Sequence, residues 1–179
     1  MIDQRLQVFV SSKMRRNVLK AERQAARDAI KGLGIFEVWD WETCSHADCK
    51  PPIELCLEAV RNSSALVLIL GRDLTPHTKK EHREAVKYKI PDFIFIKGNP
   101  KCLNSAARDY VDKQKKRSTY QNFSSLTELK TSIRVSLRNH ILETYKAGWQ
   151  FAIGTQLPKV EYPQREARCR GKSGAGGKR

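Results

Sequence analysis

Ala65-Leu66-Val67-Leu68-Ile69-Leu70 is an unbroken apolar run, bounded by Ser63-Ser64 before it and Gly71-Arg72-Asp73 after it. Six residues suit a strand better than a helix, and a strand with no polar position has no face for water. Such strands sit in parallel sheets covered by helices on both sides. The flanking chain must then supply strand-helix-strand units to cover it.

It carries the pattern to do so. Leu6 to Val10 is short, apolar and rich in β-formers, and reads as the first strand, ended by Ser11-Ser12. Asn17 stands where it can cap a helix to about Lys31, with Leu19, Ala25, Ala26, Ala29 and Ile30 as its stripe and Gly32 and Gly34 as its stop. Phe36 to Trp39 alternates and reads as strand two; Asp40 to Lys50 is a loop. Pro51-Pro52 opens a helix to about Arg61, because the first turn does not need those N–H groups. After the apolar run, a helix is expected over Lys79 to Lys89, a strand over Asp92 to Lys97, a basic helix over Ser105 to Lys116 and a short edge strand over Tyr120 to Phe123. Ser125-Leu126-Thr127-Glu128 is a capping box, and the helix after it runs to about Lys146 with Leu129, Ile133, Leu137, Ile141 and Tyr145 at intervals of four. The expected fold is a flavodoxin-like three-layer α/β sandwich: a central parallel sheet of four or five strands, order 2-1-3-4-5, flanked by helices. Residues 1–150 are expected to form this domain. Trp149 to Ile153 adds a strand or docks on the core. Residues 151–179 are a basic extension, expected to be largely disordered, since from about Pro163 the chain is rich in Gly and has no apolar pattern.

At 179 residues the chain is long enough for one domain with a real core. No apolar stretch approaches the roughly 20 residues that span a bilayer, and the N-terminal apolar run is too short for a secretory signal. The expected compartment is the cytoplasm, with no membrane partner, and the five cysteines, an odd count without regular spacing, are read as reduced thiols. Lys and Arg number 34 against 19 Asp and Glu, a net charge of +15 that favours polyanions or phosphorylated small molecules. The charge is densest in Lys113 to Arg117 and in the tail from Arg165 to Arg179; both are also what a solvated surface looks like. Tyr110, Tyr120 and Tyr162 lie only near these stretches, whereas a nucleic-acid footprint interleaves aromatics with its cations.

No Gly-rich phosphate loop and no G-x-S-x-G elbow is present, which argues against a Rossmann dehydrogenase, a P-loop NTPase and an α/β-hydrolase. In the expected fold the first three strands deliver Ser11-Ser12-Lys13, Asp40-Trp41-Glu42 and Gly71-Arg72-Asp73 to one rim, where open α/β sheets bind ligands. Glu81 stands beside them, with Thr78 one turn before it. Hydroxyls, carboxylates, an indole and an arginine suit a ribose, a base and a phosphate, so Ser11, Ser12, Asp40, Trp41, Gly71, Arg72 and Thr78 are candidate substrate-binding residues. Glu81 is the candidate catalytic group, because an anionic oxygen stabilises the oxocarbenium-like state of glycosyl transfer. Against this, Thr78-x-x-Glu81 is also a capping box, which favours the charged carboxylate and makes Glu81 a stabiliser or nucleophile rather than an acid. Ser11 and Ser12 equally end a strand, Trp39 reads as core, and His77 and His82 read as exposed histidines or accessory acid-base groups. Cys44, His46, Cys49 and Cys56 lack the paired spacing of structural zinc, so no metal and no bound cofactor is expected.

Val8-Phe9-Val10-Ser11-Ser12, followed by Glu22-Arg23 with Ala25-Ala26 and Ile30, resembles a TIR-like family of bacterial domains catalogued only as a domain of unknown function and often found at the N-terminus of signalling NTPases. The likeness continues through Ala65 to Gly71, Thr78-x-x-Glu81-x-x-x-Ala85 and Pro91-x-Phe93-Ile94-Phe95-Ile96-Lys97, over roughly the first 145 residues. Where many members carry an aspartate soon after the serine pair, this chain has Met14-Arg15-Arg16-Asn17. That family is similar in fold to TIR domains and nucleoside 2-deoxyribosyltransferases, in which a glutamate on a helix after the third or fourth strand acts on an N-glycosidic bond; Glu81 is the matching position. The resemblance implies NAD or a related nucleotide as substrate and a role in bacterial stress or phage-defence signalling. Three readings follow: an N-glycosidase acting on NAD or a related nucleotide; a non-catalytic sensor or scaffold that binds a nucleotide or protein partner or self-associates; and a basic protein associated with nucleic acid.

Overall fold

The computed structural model describes residues 5–15, 18–45, 48–114 and 117–153. Strand β1 (Leu6–Ser12) is followed by α1 (Lys20–Lys31), β2 (Phe36–Trp39), the one-turn α2 (Trp41–Cys44), α3 (Pro52–Arg61), β3 (Ala65–Leu70), α4 (Pro76–Lys87), β4 (Asp92–Lys97), α5 (Ser105–Gln114), β5 (Tyr120–Phe123) and α6 (Leu126–Ile153). The sheet is all parallel in the order β2-β1-β3-β4-β5, which is the expected sandwich. Every residue of β3 is buried, and alternate side chains feed two cores. Val67 and Ile69 join Val8, Val10 and Phe95 beneath Ala26 and Ile30 of α1 and Leu129, Ile133 and Leu137 of α6. Leu66, Leu68 and Leu70 join Phe9, Ile94 and Ile96 beneath Val60 of α3, Ala85 of α4 and Ala107 and Val111 of α5. Each large aliphatic side chain sealed this way contributes about 1.5–3 kcal/mol, before entropy is charged against it.

The chain divides into two units, Met1–Leu142 and Glu143–Arg179. Of the second, the end of α6 carries Tyr145 stacked on Trp149, ring centroids 6.3 Å apart. Trp149 to Ile153 is thus helical, not a strand. The expected tail from Pro163, together with Asn17, His46, Lys115 and Lys116, lies outside the described residues. Among the described residues no helix is long and apolar enough to cross a membrane.

Three local differences from the sequence expectations bear on function. Helix α1 begins at Lys20, preceded by Leu19 in the left-handed region at φ 63° with no side-chain cap. Burial of the Leu19 side chain outweighs that backbone cost, and Gly71 lies against it. The loop after β2 contains α2, because the Asp40 carboxylate caps it by accepting from the Thr43 N–H at 3.2 Å and the Thr43 hydroxyl at 2.9 Å. Helix α4 starts at Pro76, not at Lys79. Thr75 is its cap, accepting from the Thr78 N–H at 3.2 Å, and Pro76 fills the first helical position, where a missing N–H costs nothing.

Candidate functional site

In this strand order the chain reverses direction of winding between β1 and β3, and ligands bind outside the strand ends at such a point. Right-handed crossovers bring the N-termini of α3 and α4 to the same edge. The result is a cavity of about 490 Å³ lined by Ser12 and the residues after it (Met14, Arg15), by Trp41 of α2, by Pro52, Ile53 and Cys56 of α3, and by Thr75, Pro76, His77, Thr78 and Glu81 at the start of α4. That volume lies within the range of small-molecule sites, about 300–1,000 Å³.

Because side chains alternate along a strand, Ser11 and Ser12 part company. Ser11 faces α4, and its hydroxyl donates to Glu81 Oε2 at 2.5 Å. Ser12 faces α1, where its hydroxyl accepts from Arg23 at 3.3 Å while still lining the cavity. Glu81 belongs to the second turn of α4 and caps nothing; the start at Thr75-Pro76 removes it from the first turn and undoes the expected capping box. The carboxylate is half-buried in an apolar setting. Burial pushes its pKa up, against the hydrogen bonds from Ser11 and Cys56 and the nearby His77. The Cys56 thiol beside it is pushed up to about 12 by its own burial and by the Glu81 charge. This thiol is a hydrogen-bond donor, not a nucleophile. With a raised pKa and no capping role, Glu81 can hold a proton further toward neutrality than an ordinary carboxylate.

The α2 wall is fastened by charge. Arg23 is wholly buried on α1 and donates to the Lys13 and Val18 carbonyls at 2.9 Å and to Glu42 at 2.5 Å. Arg27 donates to Asp40 and to Glu42, each at 3.1 Å. The hydrogen bond from Arg23 holds Glu42 below the usual carboxylate range, against its burial. Burial of Arg27 is outweighed by Asp40 and Glu42, which raise its pKa. Glu22, one residue earlier, pairs with Lys97 at 2.5 Å. The Glu22-Arg23 dipeptide thus ties α1 to β4 on one side and to the serine end of β1 on the other.

Of the residues expected at the rim, Ser12, Trp41, Thr78 and Glu81 line the cavity, and Ser11 reaches Glu81 from behind it. Asp40, Gly71 and Arg72 are not among its lining residues. Asp40 is buried and engaged by Thr43 and Arg27, and Arg72 is exposed, its carbonyl accepting from the Asn104 N–H at 2.8 Å. Lys13 is drawn off by Asp73 at 2.5 Å. Trp39, expected in the core, is half-buried at its edge, where it stacks on Phe9 with centroids 4.9 Å apart. Cys56, Ile53 and Arg15 were not expected in the site. The signal was the helix start at Pro51-Pro52, which places the first turns of α3 at the strand-end edge.

His82 corrects the expectation of an exposed histidine. It is fully buried and does not line the cavity, with Nδ1 2.7 Å from the Tyr110 hydroxyl and Nε2 2.9 Å from Asp92 Oδ2. Asp92 also accepts from Ser118 at 2.8 Å and Arg117 at 3.1 Å. Burial would raise the Asp92 pKa, yet His82, Ser118 and Arg117 together hold it low. Among the described residues no group of three or more His, Cys, Asp or Glu side chains could hold a metal ion.

A model of the family described as "Domain of unknown function (DUF4062)" matches residues 7–138. No curated protein matches the chain. Among solved structures, a conserved protein from Enterococcus faecalis V583 is similar at TM-score 0.50 and 13% identity, covering 74% of this chain and 99% of that one. A metal-soaked Flv1 flavodiiron core from Synechocystis sp. PCC6803 is similar at TM-score 0.45 and 14% identity, over 76% of this chain and 37% of that one. The flavoenzyme NAD(P)H:(acceptor) oxidoreductase FerB from Paracoccus denitrificans gives TM-score 0.36 and 12% identity, over 68% and 75%. The first of these bears on the fold alone, and the other two are too distant to carry an argument.

Proposed function

The chain belongs to the DUF4062 family of domains of unknown function, and from that premise we propose that its cavity is the substrate site of a TIR-like N-glycosidase acting on NAD or a related nucleotide, with Glu81 as the catalytic carboxylate. The observation that carries this reading is the Ser11–Glu81 pair at the wall of a cavity of about 490 Å³. A desolvated carboxylate with a raised pKa and only a hydroxyl and a thiol as donors is ill-suited to a purely structural post. The bond between C1′ of the ribose and the nicotinamide nitrogen breaks, and its electron pair leaves with the ring. This neutralises the pyridinium, so no acid is required. Positive charge develops at C1′, where ionised Glu81 stabilises it. Water then adds to C1′ and gives up its proton to Glu81 or to solvent. Trp41 and Ile53 offer apolar surface to the planar base, and Ser12 and Arg15 offer polar contacts to the sugar and phosphate side. The family resemblance of the Val8–Ser12 and Glu22–Ile30 segments extends the proposal to bacterial stress or antiphage signalling.

The test is release of nicotinamide from NAD by the purified chain, alongside Glu81→Gln, at protein concentrations that permit self-association. Turnover by the wild type and its loss in the variant is the expected result. Nucleotide binding in a calorimeter with no turnover replaces the enzyme with a sensor domain. Neither binding nor turnover removes the cavity from consideration as a nucleotide site.

A further inference from the structure

We propose that the recess between α2, α3 and the β2 edge of the sheet is a subsite for the second base of a dinucleotide, and that this base is adenine: Trp39 and Trp41 supply ring surface, the Gln7 Oε1 accepts from the adenine amino group and the Asn62 amide donates to a ring nitrogen. The inference rests on the reading of the neighbouring cavity as a nicotinamide-nucleotide site.

The recess holds about 250 Å³ and is lined by Trp39 of β2, Trp41 of α2, Leu55 and Ala59 of α3, Gln7 of β1 and Asn62. Sites for whole small molecules run to about 300–1,000 Å³, so this one suits a single ring system. Trp41 also lines the cavity that contains Glu81, so one side chain is common to both spaces. A dinucleotide with its nicotinamide riboside against Glu81 has its other half to place, and this recess adjoins it. One face of Trp39 is covered by Phe9, and the half-buried indole gives its remaining surface to the recess. A phosphate is disfavoured here. Among the described residues Lys50 is the one cation that lines the recess; Glu58 engages it at 2.6 Å, and Asp48 adds a second carboxylate.

Gln7 selects the base. Its Nε2 donates to the Ala59 carbonyl at 3.1 Å and to the Ser63 hydroxyl at 2.8 Å, and that hydroxyl donates onward to the same carbonyl at 2.7 Å. A carbonyl cannot donate, so the amide nitrogen is the atom on that side and the side chain has one orientation. Both amide hydrogens are thereby used. Oε1 is left without a partner among the described residues, on a side chain that lines the recess. A fixed acceptor beside indole surface calls for a donor on the edge of a planar base. Adenine carries one at its 6-amino group, with the acceptor N7 beside it for an asparagine amide such as Asn62, exposed at the end of α3. Guanine and hypoxanthine carry an oxygen at the 6 position and would meet Gln7 oxygen to oxygen.

Turnover of NAD, nicotinamide mononucleotide and nicotinamide hypoxanthine dinucleotide by the full chain, with calorimetric binding of AMP and IMP, tests the proposal. The KM for NAD is expected to lie below that for the mononucleotide by about tenfold or more, and below that for the hypoxanthine analogue by about tenfold, the loss of one good hydrogen bond. Gln7→Leu makes the two dinucleotides equal, and Asn62→Ala raises the KM for NAD about threefold; neither changes turnover of the mononucleotide. Melting temperatures confirm folded variants, and because Asn62 is exposed its variant keeps the test open should Gln7→Leu fail to fold. AMP binds the wild type about tenfold more tightly than IMP does, and Gln7→Leu abolishes the difference. Gln7-dependent AMP binding with no turnover of any substrate removes the glycosidase and leaves the subsite. NAD turned over no better than the mononucleotide, or no better than the hypoxanthine analogue, overturns the subsite and leaves the glycosidase. Absence of AMP binding, or AMP binding indifferent to both substitutions, overturns the subsite as well.

Discussion

Glu81 and His82 are consecutive residues of one helix with opposite fates. The imidazole is sealed, and both of its nitrogens have partners, the Tyr110 hydroxyl and the Asp92 carboxylate. Asp92 is in turn answered by Ser118 and Arg117. The carboxylate next to it faces an apolar cavity, with a serine and a thiol for company and its ionised form disfavoured by burial. A buried polar group whose bonding is complete stabilises a fold. A poorly compensated one costs stability, and proteins keep such groups chiefly where chemistry needs them. The contrast places His82 in the architecture and is what the proposed role of Glu81 rests on, and it can be broken experimentally.

The largest expected effect is on turnover. Glu81→Gln lowers nicotinamide release by about 10³-fold, or about 4 kcal/mol of transition-state stabilisation, while His82→Ala leaves the rate per folded molecule unchanged; kcat measured on both variants, corrected for folded fraction, checks it. Equal losses at the two positions erase the distinction. Next comes stability. Asp92→Asn removes the charge and one of the two acceptor oxygens that His82, Ser118 and Arg117 engage, and lowers the unfolding free energy by about 2–4 kcal/mol at neutral pH, read from urea midpoints. Because the Asp92 pKa is depressed in the folded state, this contribution is present above the ordinary carboxylate pKa and is lost as pH falls through the depressed one.

A smaller effect sharpens the role of Ser11. Ser11→Ala removes the hydrogen bond that lowers the Glu81 pKa, so that pKa rises further. The acid limb of the pH–rate profile then moves to higher pH, and turnover at neutrality drops about 10-fold, as for a hydrogen bond to a charged group. The smallest effect has the opposite sign. Glu81→Gln removes a desolvated charge and raises stability by about 1 kcal/mol at neutral pH. A folded-state pKa above the unfolded one means the wild-type penalty is full above both values and absent below the unfolded pKa. The gain should therefore vanish in acid, which thermal melts at two pH values will show.

The sheet was legible because Ala65 to Leu70 admits one reading and the strands around it alternate with helical stripes, such as Leu129-Ile133-Leu137. The start of α4 was harder. Thr78-x-x-Glu81 and Thr75-Pro76 are both plausible starts, and the proline, which fits best at the first helical position, decides for the second. The burial of His82 was written in Thr78, His82 and Ala85, three buried residues at helical spacing; a polar residue in such a stripe announces a partner, but Asp92 and Tyr110 are identified only by the fold. The cavity was read in part. Strand ends point to Ser12 and Trp41, while Cys56, Ile53 and Arg15 enter from a helix start and a loop whose placement depends on how the crossovers pack. Asp40 looked like a ligand contact because its pairing with Arg27 is set only by the fold, although Thr43, three residues on, is a local sign of a helix cap.

Helix α2, which presents Trp41 to the cavity, has no buried residue of its own and is held by Arg23 and Arg27 through Glu42 and Asp40. Where grease secures the other walls, guanidinium groups secure this one. Acid strong enough to neutralise Glu42, below the ordinary carboxylate range, should slacken this flap before the sheet melts, making the doorway the first part of the molecule to give.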